Sequence, residues 1–225
     1  MSENTDNHGR APSGKESLIP KHGGFRNLKT FQLAQLVYDI TVRFCDRFVS
    51  RRSRTHDQMV QAAQSGTQNI AEGSVDSATS KKIELKLTGI AKGSLEELRL
   101  DYQDYLRQRS LPEWPPEHPA LMRFKALRCS TLEEFRAWVA EEARKEKNTD
   151  EQGRTRTDIN GVKAGGSPCA SVFPSVCVAN GALSLLNLCI YLLDRQLRTL
   201  AGTFEKEGGF TERLYRIRSE RRRNN

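Results

Sequence analysis

Arginine and lysine are the residues whose spacing in this chain points most directly to chemistry, and that chemistry is phosphate binding. Arg51, Arg52 and Arg54 crowd one short segment, Lys81, Lys82 and Lys86 open another, and the end of the chain reads FTERLYRIRSERRRNN. From Lys206 onward seven basic residues stand against three acidic ones, so this segment supplies half of the net charge of +8. Its candidate phosphate ligands are Arg213, Arg216, Arg218, Arg221, Arg222 and Arg223. A guanidinium meets phosphate oxygens with paired donors and displaces condensed counterions, the sequence-independent part of nucleic-acid affinity. Reading bases needs aromatic platforms, and only Phe210 and Tyr215 lie among these arginines, so weak selectivity is expected. The plainer reading of an Arg-rich end is a solubilising tail.

Other chemistry finds little support. His8, His22, His56 and His118 fall in tails or at element ends, and none is spaced from Cys, Asp or Glu as zinc ligands are. There is no phosphate-binding glycine loop, dinucleotide fingerprint, nucleophile elbow or Glu-x-x-His pair. Glu97, Asp101 and Asp104 share a helical face that could hold Mg2+, although such a stripe is ordinarily a solvated face or half of an inter-helix ion pair. The expectation is therefore no catalytic residue, no metal and no cofactor. Cys45, Cys129, Cys169, Cys177 and Cys189 include no CxxC pair and read as small apolar fillers, reduced in a cytoplasm.

The elements that would carry these charges are helices. Helix one is expected over about Asn27–Val49 with Leu33, Val37, Ile40, Phe44 and Phe48 inward. After the basic turn SRRSR, a capping box at Thr55 and Gln58 predicts a second helix to about Gly73. Its inner stripe of Met59, Ala63, Gly66, Ile70 and Gly73 is thin enough for a neighbouring backbone to approach closely. Helix three, about Ser80–Arg109, places Ile83, Leu87, Ile90, Ser94, Leu98 and Tyr102 or Tyr105 on one side, with Gly89 and Gly93 where leucine would be ordinary. Four prolines in LPEWPPEHP stop it. One extra helix is expected at about Thr131–Lys147, with Leu132, Phe135, Val139 and Trp138 apolar, and then a polar linker over Asn148–Ser175. Helix four follows, to about Phe204. Short loops make neighbouring helices antiparallel.

FRNLKTFQLA at Phe25 to Ala34, QNIAEG at Gln68 to Gly73 and AKGSLEEL at Ala91 to Leu98 together resemble the four-helix-bundle proteins first labelled ribosomal-RNA intervening-sequence proteins. That family includes the accessory variability determinant of diversity-generating retroelements. LLDRQLRTLAGTFEKEGGFTERL at Leu192 to Leu214 is similar to a longer branch that carries a four-helix-bundle suffix. The resemblance implies an all-α antiparallel four-helix bundle and a closed ring of subunits, pentameric in the accessory determinant. It also implies binding of RNA or cDNA, with a reverse transcriptase as a further partner. It rests on packing residues and carries no chemistry. Residues 111–175 depart from the shorter members.

The domain plan that results has a disordered N-terminal tail over 1–24 and bundle helices one to three over 25–110. An insertion with one extra helix and a flexible linker occupies 111–175, helix four 176–206, and a basic C-terminal tail 207–225. No charge interrupts the thirty residues between Lys163 and Asp194, long enough to suggest a membrane span. The stripe Ala182, Leu186, Cys189, Leu193, Leu197, Leu200 and Phe204 nevertheless continues through Asp194, Arg195 and Arg198, as a soluble core helix would. No membrane is expected. Leu185, Leu188 and Leu192 add a second apolar side, which needs the inserted helix, another subunit or a partner protein to cover it. Together these features predict a cytoplasmic, non-enzymatic homo-oligomer that binds RNA or single-stranded DNA. The alternative is an oligomeric scaffold for protein partners.

Overall fold

A computed structural model describes residues 24–157 and 172–223. Among them the chain is all-α, with no strand. A short 3-10 turn at Phe25–Asn27 leads into α1 (Lys29–Phe48), α2 (Arg54–Asp76), α3 (Lys81–Gln108), α4 (Pro119–Leu127), α5 (Leu132–Thr157), α6 (Phe173–Glu207) and α7 (Phe210–Arg223). The expected N-terminal tail, save Gly24, and Cys169 lie outside the described residues.

Helices α1, α2, α3 and α6 form the core: α2 packs on α1 and α3, and α6 closes the circle against α3 and α1. Contacts along each pair fix the directions. Ser65 Oγ of α2 lies 3.0 Å from Ser94 Oγ of α3, and Gly73 further along α2 sits against Leu87 near the start of α3, so the two run antiparallel. On α6, Cys189 Sγ donates to Thr30 O at 3.4 Å and Gln196 Oε1 accepts from Thr30 Oγ1 at 3.1 Å, whereas Pro174 and Val178 at its start line a groove with Ile40 and Phe44 near the end of α1, so α6 runs antiparallel to α1. Lys92 Nζ of α3 donates to Asp194 Oδ1 at 2.7 Å. Tyr102 is fully buried beside Phe44, ring centroids 4.9 Å apart, and its hydroxyl lies 3.1 Å from Thr41 Oγ1. Burying side chains such as Leu95, Leu98 and Leu186 stabilises the core by roughly 1.5–3 kcal/mol each.

Three details differ from the sequence expectation. The cap of α2 is Ser53, whose side chain accepts from Thr55 N at 3.3 Å, so α2 starts at Arg54 with no box at Thr55. The inward face of the first half of α3 is Glu84, Thr88, Ala91 and Leu95, while Ile83 and Ile90 are exposed. The glycines of α2 explain this rotation. A Cβ on Gly66 would lie 2.6 Å from Leu95 Cδ2, so α3 seats a branched side chain directly on the α2 backbone.

The third difference is the inserted segment, which holds two helices where one was expected. Pro119 opens α4 at a position where its missing N–H costs nothing. A capping box starts α5: Thr131 Oγ1 accepts from Glu134 N at 3.2 Å, and Glu134 Oε2 accepts from Ser130 N at 2.7 Å. Those donors hold the Glu134 carboxyl below its ordinary range. Helix α5 then continues to Thr157, into the expected linker, whose residues 158–171 are outside the described set. Arg123 of α4 grips the buried Glu142 of α5, Nε to Oε1 at 2.8 Å, with a second bond from Nη2. The pair of helices docks on α6 through Phe135 and Trp138, which meet Gly181, while Asn180 ties the preceding connection to α6, its Oδ1 accepting from Trp114 N and its Nδ2 donating to Pro112 O and to Val176 O.

Candidate nucleic-acid interface

The three basic clusters sit at two ends of the core. Arg51, Arg52 and Arg54 occupy the α1–α2 turn, where the positive end of the α2 dipole adds to their field. Arg51 Nη2 is already engaged by Asp46 Oδ1 at 3.1 Å in an exposed pair, which contributes little to stability. Lys81, Lys82 and Lys86 lie beyond the other end of α2, whose 23 residues span roughly 34 Å. Lys81 Nζ is held by Glu84 Oε2 at 3.1 Å, leaving Lys82 and Lys86 as the exposed cations of that group.

The end of the chain is a helix rather than an extended tail. Gly208 takes φ +71°, a left-handed conformation suited to glycine, and its N–H caps α6 at Phe204 O. Gly209 N then donates to Glu212 Oε2 at 2.8 Å at the start of α7. Helix α7 buries no residue. Leu214 and Ile217 are half-covered, while Tyr215, Arg216, Arg218, Arg221, Arg222 and Arg223 are exposed, and Arg213 is intermediate. From the Lys92–Asp194 pair, α6 continues to Glu207 and α3 reaches back to Lys81, spans of roughly 20 and 17 Å. By this register α7 follows the end of the core that carries Lys82 and Lys86, and the Arg51–Arg54 turn stands at the opposite end.

The acidic stripe resolves differently from a metal site. Glu97 and Asp101 line a polar cleft with Gln58, Gln61, Ser65 and Ser94. Asp104 turns to Arg107, Oδ1 to Nη2 at 2.8 Å. Burial raises the Asp101 carboxyl pKa, and Asp104 and Glu97 push it further. No group of three or more metal-ligating side chains exists among the described residues. The thiols of Cys45, Cys129, Cys177 and Cys189 are free and buried. Burial pushes Cys45 and Cys189 up to about 12, so neither is a nucleophile at neutral pH.

The second apolar side of α6 is mostly used within the chain. Leu185, expected at a subunit interface, is 5% exposed, Leu192 is half-covered, and Leu188 at 45% remains open. Helices α4 and α5 both pack on α6, with Leu121 and Phe124 of α4 beside Leu185. The segment containing α6 has an apolar window long enough to cross a bilayer by length and composition, and 67% of that window is buried inside the protein.

No protein-family model, curated protein or solved structure matches the chain. Geometry alone therefore bears on what the surface does. Sequence reasoning passed over one cationic group, Lys29, Lys125 and Arg128, which line a cavity of about 870 Å³ with Trp114, Leu185 and Leu188. These residues come from α1, the 111–118 connection, α4 and α6, so no local spacing announces them. The helix α4 that carries Lys125 did have a legible start in Pro119, followed by Leu121 and Phe124 at helical spacing.

Proposed function

We propose that this protein is a non-enzymatic nucleic-acid-binding accessory protein whose core is an antiparallel four-helix bundle. The observation that carries the reading is α7, a helix of six arginines, five of them exposed, at the same end of the core as Lys82 and Lys86. The helix buries no residue, and its exposed Arg218, Arg221, Arg222 and Arg223 face solvent where phosphate oxygens can reach them. RNA or single-stranded DNA is the ligand class, bound in the cytoplasm with little base preference, since Tyr215 is the principal exposed aromatic of that surface. The resemblance to retroelement accessory determinants adds self-association, with a pentameric ring as its form, and a reverse transcriptase as partner. A ring would repeat the cationic end around one rim and raise avidity.

Titration with a fluorescent single-stranded oligonucleotide at several salt concentrations tests this. Affinity is expected to fall with a log–log slope of about −0.7 for each phosphate contacted. Ending the chain after Gly209 should remove most of the affinity and flatten the slope for unrelated sequences alike. Replacing Arg51, Arg52 and Arg54 with alanine should leave a short oligonucleotide nearly unaffected, because that turn stands roughly 34 Å away. Failure of the intact protein to bind at low salt would sink the reading.

A protein scaffold is the second reading, and the exposed apolar side chains Ile83, Ile90 and Leu100 on α3 favour it. Light scattering distinguishes the two sources of such a face. Disruption of an oligomer by Ile90→Glu assigns it to self-association, and an unchanged size leaves it to another protein.

A further inference from the structure

The cavity between α1, α4 and α6 lies apart from the basic clusters, and its lining takes in Leu185 and Leu188, the leucines expected at a subunit interface. Its floor is apolar and buried: Leu33, Leu121, Leu183 and Leu185, with Phe124. Lys29, Lys125 and Arg128 line it as exposed residues, which places the apolar groups at depth and the charges at the mouth. Glu113 is the single acidic group of the lining, and it already accepts from Gln103 Nε2 at 2.9 Å. Lys125 Nζ reaches across to Pro116 O at 2.7 Å. Arg128 has no carboxylate partner among the described residues.

Arg128 carries a second signal. It adopts φ 50°, ψ 44°, the left-handed conformation, as the residue that ends α4. Glycine is the ordinary occupant of such a position, and any branched or long side chain there costs backbone energy. Strain held by a charged residue at a cavity mouth points to a use for the charge.

We infer that this cavity binds a monoanion with a long aliphatic body, of the fatty-carboxylate class. The volume of about 870 Å³ lies within the usual range for small-ligand sites. The aliphatic tail takes the leucine floor, and the carboxylate accepts from Arg128 and Lys125, with Lys29 adding its charge. A nucleotide fits this lining poorly. Phe124 is packed against Trp138, centroids 4.5 Å apart, one face of Trp114 is stacked on His118 at 4.3 Å, and the Asn180 amide is fully used. Beyond Ser184 and Asn187 the lining offers no further free amide or hydroxyl side chain to read a base.

Isothermal titration of the full-length protein with sodium dodecanoate, kept below its micelle threshold, tests the inference. Saturable uptake of one dodecanoate per chain is expected, with dodecanol bound at least about tenfold more weakly because a charge-assisted hydrogen bond is lost. Arg128→Gly relieves the left-handed backbone, so its melting temperature should hold or rise while dodecanoate affinity falls about tenfold. Arg128→Lys should recover part of that loss. Overturning results are absence of saturable uptake, equal affinity for dodecanol, displacement of dodecanoate by adenosine monophosphate, or undiminished affinity in Arg128→Gly. Uptake lost only when the protein self-associates would instead make the mouth a contact between copies, and would also overturn the inference.

Discussion

On the α6 side of the core a glycine lies beneath two aromatic rings, whereas on the outer side of α3 two glycines face open space. A Cβ on Gly181 would fall 2.7 Å from Trp138 Cζ3 and 2.8 Å from Phe135 Cε2, while nothing stands within 4 Å of one on Gly89 or Gly93. The first face is finished within the chain, because the inserted helices seat their rings on bare backbone. The second pays the conformational cost of glycine with no packing in return. Identical residues at helical spacing thus have opposite meanings, decided by what lies across from them.

The largest effect is expected where the inserted segment meets α6. Gly181→Ala should destabilise the protein by about 2–3 kcal/mol, because rigid ring edges cannot rotate away as a leucine terminus can. Urea unfolding followed by circular dichroism measures this. A change below about 0.5 kcal/mol would mean that α5 can shift outward cheaply, and the contrast between the two faces would weaken.

Glu142→Gln tests the clamp that makes α4 and α5 a unit, since Glu142 is 3% exposed. A loss of about 1–3 kcal/mol at neutral pH is expected. The hydrogen bond from Arg123, then its charge and that of Lys145, holds the Glu142 carboxyl below the ordinary 4.5. A lowered folded-state value means that the contribution is complete above pH 4.5 and disappears as pH falls through the folded value. The gap between wild type and Glu142→Gln should therefore close on acidification below 4.5. A gap independent of pH would show that shape rather than charge holds the clamp.

The smallest effects belong to the open face. Gly89→Ala and Gly93→Ala should each stabilise the isolated chain by about 0.5–1 kcal/mol, read as a higher midpoint in urea at a concentration where the protein is monomeric. Destabilisation by either would place an undetected neighbour against α3 and remove the distinction between the faces.

Part of this architecture was legible from pattern. The inward face of α1, with Leu33, Val37, Ile40 and Phe44, and the line Ala182, Leu186, Cys189 and Leu193 on α6 are buried where periodicity puts them. Both helices contribute a broad apolar face to a crowded interior, so hydrophobicity and burial coincide. The start of α3 was misread for the converse reason. Ile83 and Ile90 look like core residues, yet Glu84, Thr88 and Ala91 face α2, because the bare backbone at Gly66 and Gly73 draws that side of α3 into close approach. The cavity mouth could not be read at all, since Lys29 and Arg128 are far apart in the chain.

What the amino-acid sequence determined by itself is local: helix type, most breaks, the charge excess at the C-terminal end and the glycine-thinned stripe of α2. These follow from periodicity, proline and composition, which act within a few residues. Tertiary structure decided which side of α3 is buried, that Leu185 is core while Leu188 is not, and that Lys82 and Lys86 share an end with α7. It also brought Arg128 and Lys29 to one cavity. Each of these depends on which surfaces exclude water together, and that exclusion is set by partners distant in sequence.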